Sequence, residues 1–118
     1  MATLGDLERS IMDVLWDASA PLSAADLREM LAHENRGKPL ALTTVLTVLS
    51  RLENKDFVTR DRDVRPHLYT AATTREEHMA ELMHEVLGSS PDREAVLARF
   101  VGQVSPGEAE QLRRLLGA

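Results

Sequence analysis

Several residue types are scarce or missing, and each absence narrows the class of protein. The 118 residues contain no cysteine, which excludes disulfide frameworks, thiolate metal sites and cysteine nucleophiles. Aromatic residues make up 3% of the chain and apolar residues 43%, which is typical of a helical core of Leu, Val, Ala and Met. No apolar run approaches the roughly 18 residues of a membrane span, and the N-terminus lacks a signal-peptide pattern. We therefore expect a cytoplasmic protein without membrane insertion.

Basic residues are also in the minority, since the formal net charge is -5, but they are unevenly distributed. Residues 1–35 hold two basic and seven acidic residues, residues 36–67 seven basic and four acidic, and residues 68–118 five basic and eight acidic. Only the middle segment is positive. Binding to nucleic acid depends on where cations lie near phosphates, so an acidic chain with one basic segment can still bind DNA.

The most informative stretch is residues 42–56, LTTVLTVLSRLENKD, which predicts an amphipathic helix. The residues at the i, i+3, i+4, i+7 spacing of a buried stripe are Val45, Val48, Leu49 and Leu52. The other side carries hydroxyl, amide and guanidinium groups, which contact base edges and phosphates in a major groove, rather than the usual Glu and Lys. The residues that we predict to contact DNA from this helix are Thr43, Thr44, Leu46, Thr47, Ser50, Arg51 and Asn54. The alternative is an ordinary amphipathic helix with a Thr-rich exposed face.

Two helices are predicted before this one. The first runs from Thr3 to Ala18, with Thr3 and Asp6 spaced as a capping box. Ser23 and Asp26 have the same spacing at the start of the second. The second helix runs to about His33, and its predicted inward residues are Leu27, Met30 and Leu31. Residues 35–39, NRGKP, form a turn by composition, and this order of helices is typical of a helix-turn-helix unit.

After the Thr-rich helix the apolar period shortens to about two residues, which indicates strands. Residues 57–62 and 67–71 predict a hairpin, and a helix-turn-helix followed by a hairpin is a winged helix. The hairpin would present Arg60, Arg62 and Arg65 to phosphates or to a minor groove. We therefore predict a mainly α fold with a small β-wing, and a winged-helix DNA-binding domain over residues 1–72.

Residues 73–118 predict three further helices with wide apolar faces, which short helices cannot bury alone. Pairing with a second copy is favoured over folding back, because a two-fold dimer reads more base pairs than one recognition helix. The residues predicted to lie in this dimerisation region are Met79, Leu82, Met83, Val86, Val96, Leu97, Phe100, Val101, Leu112 and Leu115.

The ordered set of motifs resembles the penicillinase repressor family, which includes BlaI and MecI. The resemblance rests on Leu7-Glu8 and Leu15-Trp16 in the first helix, on Thr44-Val45 and Arg51-Leu52 in the third, and on the wing. It implies a dimeric winged-helix repressor that binds an inverted-repeat operator and needs no cofactor. In that family a membrane-bound sensor-protease, which detects a β-lactam, leads to cleavage within the dimerisation helices and so links the repressor to antibiotic resistance.

Cleavage in the family typically falls at an Asn-Phe bond, and the matching bond in this chain is Arg99-Phe100. The chain departs from the pattern at the residue before the cut, so the resemblance does not identify the protease. Phe100, an aromatic residue on the inner face of a dimer helix, is expected to be a core residue first and a cleavage site second.

Two other functions fit parts of the sequence. A metal-responsive regulator would use His78, Glu81 and Glu85, which share one helix face at i, i+3, i+7. A winged helix that binds only proteins would need no basic wing. An enzyme is not expected, because no nucleophile with its base, no phosphate-binding loop and no paired carboxylates can be assembled.

Overall fold

The computed structural model describes residues 4–34 and 40–117, so Thr3 and the turn predicted at residues 35–39 lie outside the described residues. In chain order, the helices and strands of these ranges are α1 (Asp6–Asp17), β1 (Leu22–Ser23), α2 (Ala24–Glu34), α3 (Leu42–Asn54), β2 (Val58–Asp61), β3 (Leu68–Ala71), α4 (Arg75–Gly88), α5 (Arg93–Val101) and α6 (Pro106–Leu115). The chain divides into two compact units, Met1–Met79 and Ala80–Ala118. No helix in the described ranges combines the length and the apolar composition needed to cross a bilayer.

The core of the first unit lies among α1, α2, α3 and the sheet. Its buried apolar residues are Ile11, Met12, Val14 and Leu15 of α1, Ala24, Leu27 and Leu31 of α2, Val45, Val48, Leu49 and Leu52 of α3, and Phe57, Val58 and Tyr69 of the hairpin. All four residues of the predicted α3 stripe are therefore buried, as the helical spacing predicted. The prediction of a mainly α fold with a small β-wing is confirmed.

The starts of the first two helices differ in how well the sequence predicted them. Helix α1 begins at Asp6, not Thr3, and the carboxylate of Glu8 accepts a hydrogen bond from the Gly5 N–H at 2.8 Å. The cap of α1 is therefore at Gly5 and Glu8 instead of the predicted Thr3 and Asp6, and Thr3 lies outside the described residues. The second cap is confirmed, since the Asp26 N–H donates to Ser23 Oγ and the Ser23 N–H donates to Asp26 Oδ2, each at 3.1 Å.

Helix α2 has a narrower buried face than predicted. Leu27 and Leu31 are buried, but Met30 is 42% exposed, so its assignment to the inward face is wrong. Residue 30 is rotated about 100° from residue 31 around the helix axis. The inward face is instead completed by Ala24, which lies one turn before Leu27.

The sheet contains a strand that the sequence did not predict. Strand β1 is only two residues long and pairs antiparallel with β3, which also pairs antiparallel with β2, so that β3 is central. Leu22 and Arg60 both lie opposite Tyr69, on the two edges of β3. A strand this short has no period to recognise, so only the β2–β3 hairpin was predictable.

The three helices predicted for the C-terminal region are present, and two begin at clear caps. Asp92 Oδ1 accepts from the Ala95 N–H at 3.1 Å at the start of α5. Ser105 and Glu108 form a reciprocal capping box at α6, with distances of 2.9 and 3.1 Å. None of the residues of α5 or α6 is buried within the chain.

Helix α3 ends in a Schellman motif that turns the chain into the wing. The Phe57 N–H donates to the Leu52 carbonyl at 2.9 Å and the Asp56 N–H to the Glu53 carbonyl at 3.0 Å. Asp56 has a φ of 65°, the left-handed conformation that this motif needs and that glycine usually supplies. The buried side chains of Phe57 and Leu52 supply the apolar part of the motif.

Replacing Asp56 by glycine should stabilise the protein, because glycine adopts positive φ without strain. We expect Asp56→Gly to exceed Asp56→Ala in free energy of unfolding by about 1 kcal/mol, measured by urea denaturation. The alanine variant loses the same charge but keeps Cβ, so it isolates the backbone contribution. Equal stabilities would contradict strain at this position.

A partly buried ion pair joins the start of α1 to the end of α3. Lys55 Nζ lies 3.0 and 2.9 Å from the two carboxylate oxygens of Glu8, whose side chain is 11% exposed. Burial by itself raises the pKa of Glu8, but the hydrogen bond from Gly5 and the charge of Lys55 outweigh it, so the pKa lies below its ordinary value.

Stability should depend on the ionisation of Glu8. Because its pKa is lower in the folded chain, the contribution is present above the unfolded value of about 4.3 and disappears as the pH falls through the folded value. We expect Glu8→Gln to reduce the free energy of unfolding at pH 7 by about 1 to 3 kcal/mol. The deficit relative to wild type should shrink in acid. Glu76→Gln, at an exposed carboxylate, is the control, and a deficit that stays constant down to pH 2 would contradict this role.

Candidate nucleic-acid interface

Burial of one side of α3 leaves the predicted DNA-contacting side open to solvent. The exposed residues of this reading face are Thr43, Thr44, Leu46, Thr47, Ser50, Arg51 and Asn54. Leu46 is 39% exposed, and it is an apolar side chain among hydroxyl and amide groups. The face therefore offers hydrogen-bonding groups and methyl groups together, which are the groups that contact base edges.

Thr47 is oriented by its own helix. Its hydroxyl donates to the Thr43 carbonyl at 2.8 Å, so the hydroxyl proton is engaged and the oxygen lone pairs are left to accept. A groove of about 450 Å³ runs between this part of α3 and the start of α1. Gly5, Asp6 and Leu7 border it opposite Thr43 and Arg51. That the first turn of α1 adjoins the reading face was not predictable from local patterns, because the two are about 40 residues apart in the chain.

The wing, which comprises β2, β3 and residues 62–67 between them, is tied to α3 by Glu53. Arg60 Nη2 lies 2.5 Å from Glu53 Oε1, and the Arg60 guanidinium lies 5.8 Å from the centre of the Tyr69 ring. The Arg60 side chain is only 18% exposed. Of the three predicted phosphate-binding arginines, this one is thus held mainly within the protein.

Arg62 and Arg65 are the more open arginines of the wing. Arg62 has a side chain that is 61% exposed, and its Nη2 lies 3.1 Å from Glu53 Oε2. Arg65 is exposed, its Nη1 donates to the Arg62 carbonyl at 3.4 Å, and its guanidinium also contacts His67. Desolvation first, and then the charges of Arg65, Arg60 and Arg62, lower the pKa of His67. Three arginines of the wing therefore lie close enough to His67 to affect its charge, while Asp61 acts in the opposite direction.

Glu53 is a residue of this surface that the sequence analysis did not single out. The hydrogen bond from Arg60 is the main cause that lowers its pKa, burial opposes it, and the charges of Arg60 and Arg62 lower it further. Its carboxylate therefore stays ionised well into acid. The available signal was the spacing of Arg60 and Arg62, which places both on one side of a strand where a single acid can reach them.

The predicted dimerisation residues lie on apolar surfaces that the chain itself leaves open. Leu82 and Leu112 are half-buried. The exposed members are Met79, Met83, Val86, Val96, Leu97, Phe100, Val101 and Leu115, with exposures from 38% to 76%. Within the second unit, α4 and α5 enclose a groove of about 400 Å³, lined by Val86, Leu97 and Phe100 among others. The Arg99-Phe100 bond lies inside α5.

The arrangement suggested for a metal ion does not form. The ring of His78 is 2% exposed and lies 5.6 Å from the ring of Trp16 and 5.1 Å from that of Phe57. Within the described ranges, no three His, Asp or Glu side chains converge as metal ligands. His78 faces an aromatic cluster, whereas Glu81 and Glu85 are exposed. The metal site suggested by their helical spacing is therefore not formed by these three residues.

Comparison with solved structures supports the fold. A MarR family protein from Bacillus stearothermophilus aligns with a TM-score of 0.53 at 18% identity, over 98% of this chain and 71% of the other. The hsRosR-S1 complex aligns with a TM-score of 0.53 at 19% identity, over 92% and 95%. At these identities the likeness shows the winged-helix fold alone.

Sequence comparison identifies the family. A model of the penicillinase repressor family matches residues 4–118. The transcriptional regulators BlaI from two strains of Mycobacterium tuberculosis, CDC 1551 and H37Rv, are each 41% identical over 119 residues, which cover 98% of this chain and 84% of theirs. These relatives are transcriptional regulators and not enzymes. The chain therefore belongs to the penicillinase repressor family of transcriptional regulators.

Proposed function

We propose that the protein is a repressor that binds an inverted-repeat DNA operator as a homodimer. The observation that carries the proposal is the exposed reading face of α3 together with a wing on which Arg62 and Arg65 are exposed. In a winged helix the second helix of the helix-turn-helix unit enters the major groove, and the wing lies along the adjacent backbone. The reading face thus contacts base edges, and the wing contacts phosphates.

The reading face supplies sequence preference. Thr47 and Ser50 offer hydroxyl oxygens to base donors, and the exposed side chain of Leu46 meets a thymine methyl group. Arg51 and the guanidinium N–H groups of the exposed wing arginines bind phosphates. These phosphate contacts set the position of the helix on the duplex but carry no sequence information. Sequence preference should consequently be lost by changes on α3 and kept after changes on the wing.

Replacing Thr47 by alanine tests the reading face, because it removes one base contact and no charge. We expect Thr47→Ala to weaken operator binding by about 1 to 3 kcal/mol and binding to random DNA very little, measured by fluorescence anisotropy. Ser19→Ala is the control, since Ser19 is exposed between α1 and β1, outside the reading face and the wing. Equal losses on both DNAs would refute this role. A wild-type chain that binds no operator would instead favour the protein-binding alternative.

Dimerisation is supported by the apolar surfaces of α4, α5 and α6. Val86 and Leu115 are 68% and 76% exposed in the single chain, and monomeric proteins rarely leave large apolar patches uncovered. A second copy covers the same surface on both chains through a two-fold axis. Such a dimer presents two reading faces related by two-fold symmetry, and the matching DNA is an inverted repeat.

Cleavage of the Arg99-Phe100 bond would end repression in this proposal. The cut would remove α6 and the end of α5, and Phe100 would leave the apolar groove of the second unit. The reading face and the wing would remain intact. Repression would end because each half-site would be bound separately, without the effective concentration that a linked partner provides.

Truncation after Arg99 tests both the dimer and the effect of cleavage. We expect a monomer by light scattering and an operator affinity reduced by about 10² to 10⁴, with the thermal unfolding of the winged helix retained. A full-length variant, Val86→Asp, should also be monomeric, because it would bury a charge in the interface. Ala72→Asp, at an exposed position of the first unit, is its control. A truncated chain that stays dimeric would refute the assigned role of these helices.

A further inference from the structure

Glu53 lies in the last turn of α3. Among the described residues it is the one carboxylate that bonds arginines of the wing, namely Arg60 and Arg62. We propose that Glu53 is a positioning and specificity-determining residue, which holds Arg62 at a fixed place beside the reading face and reduces the attraction of the wing for random DNA. The proposal rests on the proposed function and adds a residue that restrains binding rather than promoting it.

The position of the Glu53 carboxylate is fixed by packed groups. Arg60 bonds both of its oxygens, through Nη2 at 2.5 Å and Nε at 3.5 Å, and lies over the ring of Tyr69, which is 2% exposed. The side chain of Glu53 itself is 24% exposed. A loose ion pair on the surface does little to hold its side chains in one position. The Glu53–Arg60 pair differs, because Arg60 is part of the sheet and Glu53 is part of the last turn of α3.

Arg62 can be held by Glu53 and still bind a phosphate. Its bonds to Glu53 use Nη2 alone, at 3.3 and 3.1 Å. A guanidinium has five N–H donors in a planar fork, so Nε and Nη1 of Arg62 can each donate a separate hydrogen bond to DNA. Because its side chain is 61% exposed, these N–H groups are accessible to a duplex while Nη2 stays bound.

The negative charge of Glu53 has a different effect on the two kinds of DNA. Random DNA is bound almost entirely through charge. A carboxylate between two guanidiniums therefore directly weakens the affinity for random DNA. Operator DNA is bound by base contacts as well, and these require the wing and the reading face to meet the duplex together. On the operator, Glu53 lowers the affinity by cancelling arginine charge, but it holds the wing in the position that the base contacts require, and this gain compensates for the loss.

The test is Glu53→Gln in the full-length protein, because glutamine keeps the shape and loses the charge. The probes are a duplex that the wild type selects from a random-sequence pool and a scrambled duplex of equal length, each titrated over a range of salt concentrations. We expect affinity for scrambled DNA to rise about threefold to tenfold, with a salt slope steeper by about one. Affinity for the selected duplex should not rise, so that the ratio of the two affinities falls.

Two further variants separate positioning from simple repulsion. Glu76→Gln makes the same charge change on α4, outside the reading face and the wing, and should leave the ratio unchanged. In an Arg62→Ala background, Glu53→Gln should alter the ratio less than in the wild type, because Arg62 is no longer there to be positioned and only the charge beside Arg60 is removed. An effect of equal size in both backgrounds would show that Glu53 does not act through Arg62.

Three outcomes would overturn the inference. If both affinities rise by the same factor, Glu53 is only a repulsive charge. If both fall together with the midpoint of thermal unfolding, or if neither changes, Glu53 is only structural or inert. These outcomes leave the proposed function intact, whereas a wild-type chain that selects no sequence from the pool overturns the proposed function and this inference with it.

Discussion

Burial of Val45, Val48, Leu49 and Leu52 fixes the rotation of α3 about its own axis, and the surfaces proposed to meet DNA follow from that rotation. Each residue advances about 100° around a helix, so a change of one position would carry a threonine of the reading face into the core. That exchange would bury a hydroxyl and expose an aliphatic side chain, both of which cost free energy. The core of the first unit therefore selects which side of α3 meets the solvent.

The parts of the fold that have a regular period were predictable from the sequence. Both sides of α3 and the two strands of the wing were predicted, because amphipathic spacing reports which side faces the core. Strand β1 was missed because two residues have no period. The apolar spacing of α2 includes Met30 and so predicts a wider inward face than the three residues that are buried.

The candidate site was only partly predictable, because contacts between distant residues depend on how the elements pack. The spacing of Arg60 and Arg62 indicates a shared side of the strand, but their approach to Glu53 depends on the turn at Asp56. The same limit applied to His78, whose helix face suggested a metal ligand. The ring is in fact enclosed by Trp16 and Phe57, residues that lie far from it in the chain.

Because of the Schellman motif at the end of α3, the junction between α3 and β2 tolerates insertions less well than the turn between β2 and β3. Between Glu53 and Phe57 the number of residues is fixed, because the N–H groups of Asp56 and Phe57 bond back to the carbonyls of Glu53 and Leu52 and the Phe57 side chain enters the core. One inserted residue there would shift the register of β2 and turn its core side chains towards solvent. Between Asp61 and Leu68, beyond the last paired residues, no such closure exists. Natural variation in the length of the wing should therefore accumulate at its tip, where it alters how far the arginines reach and leaves the core unchanged.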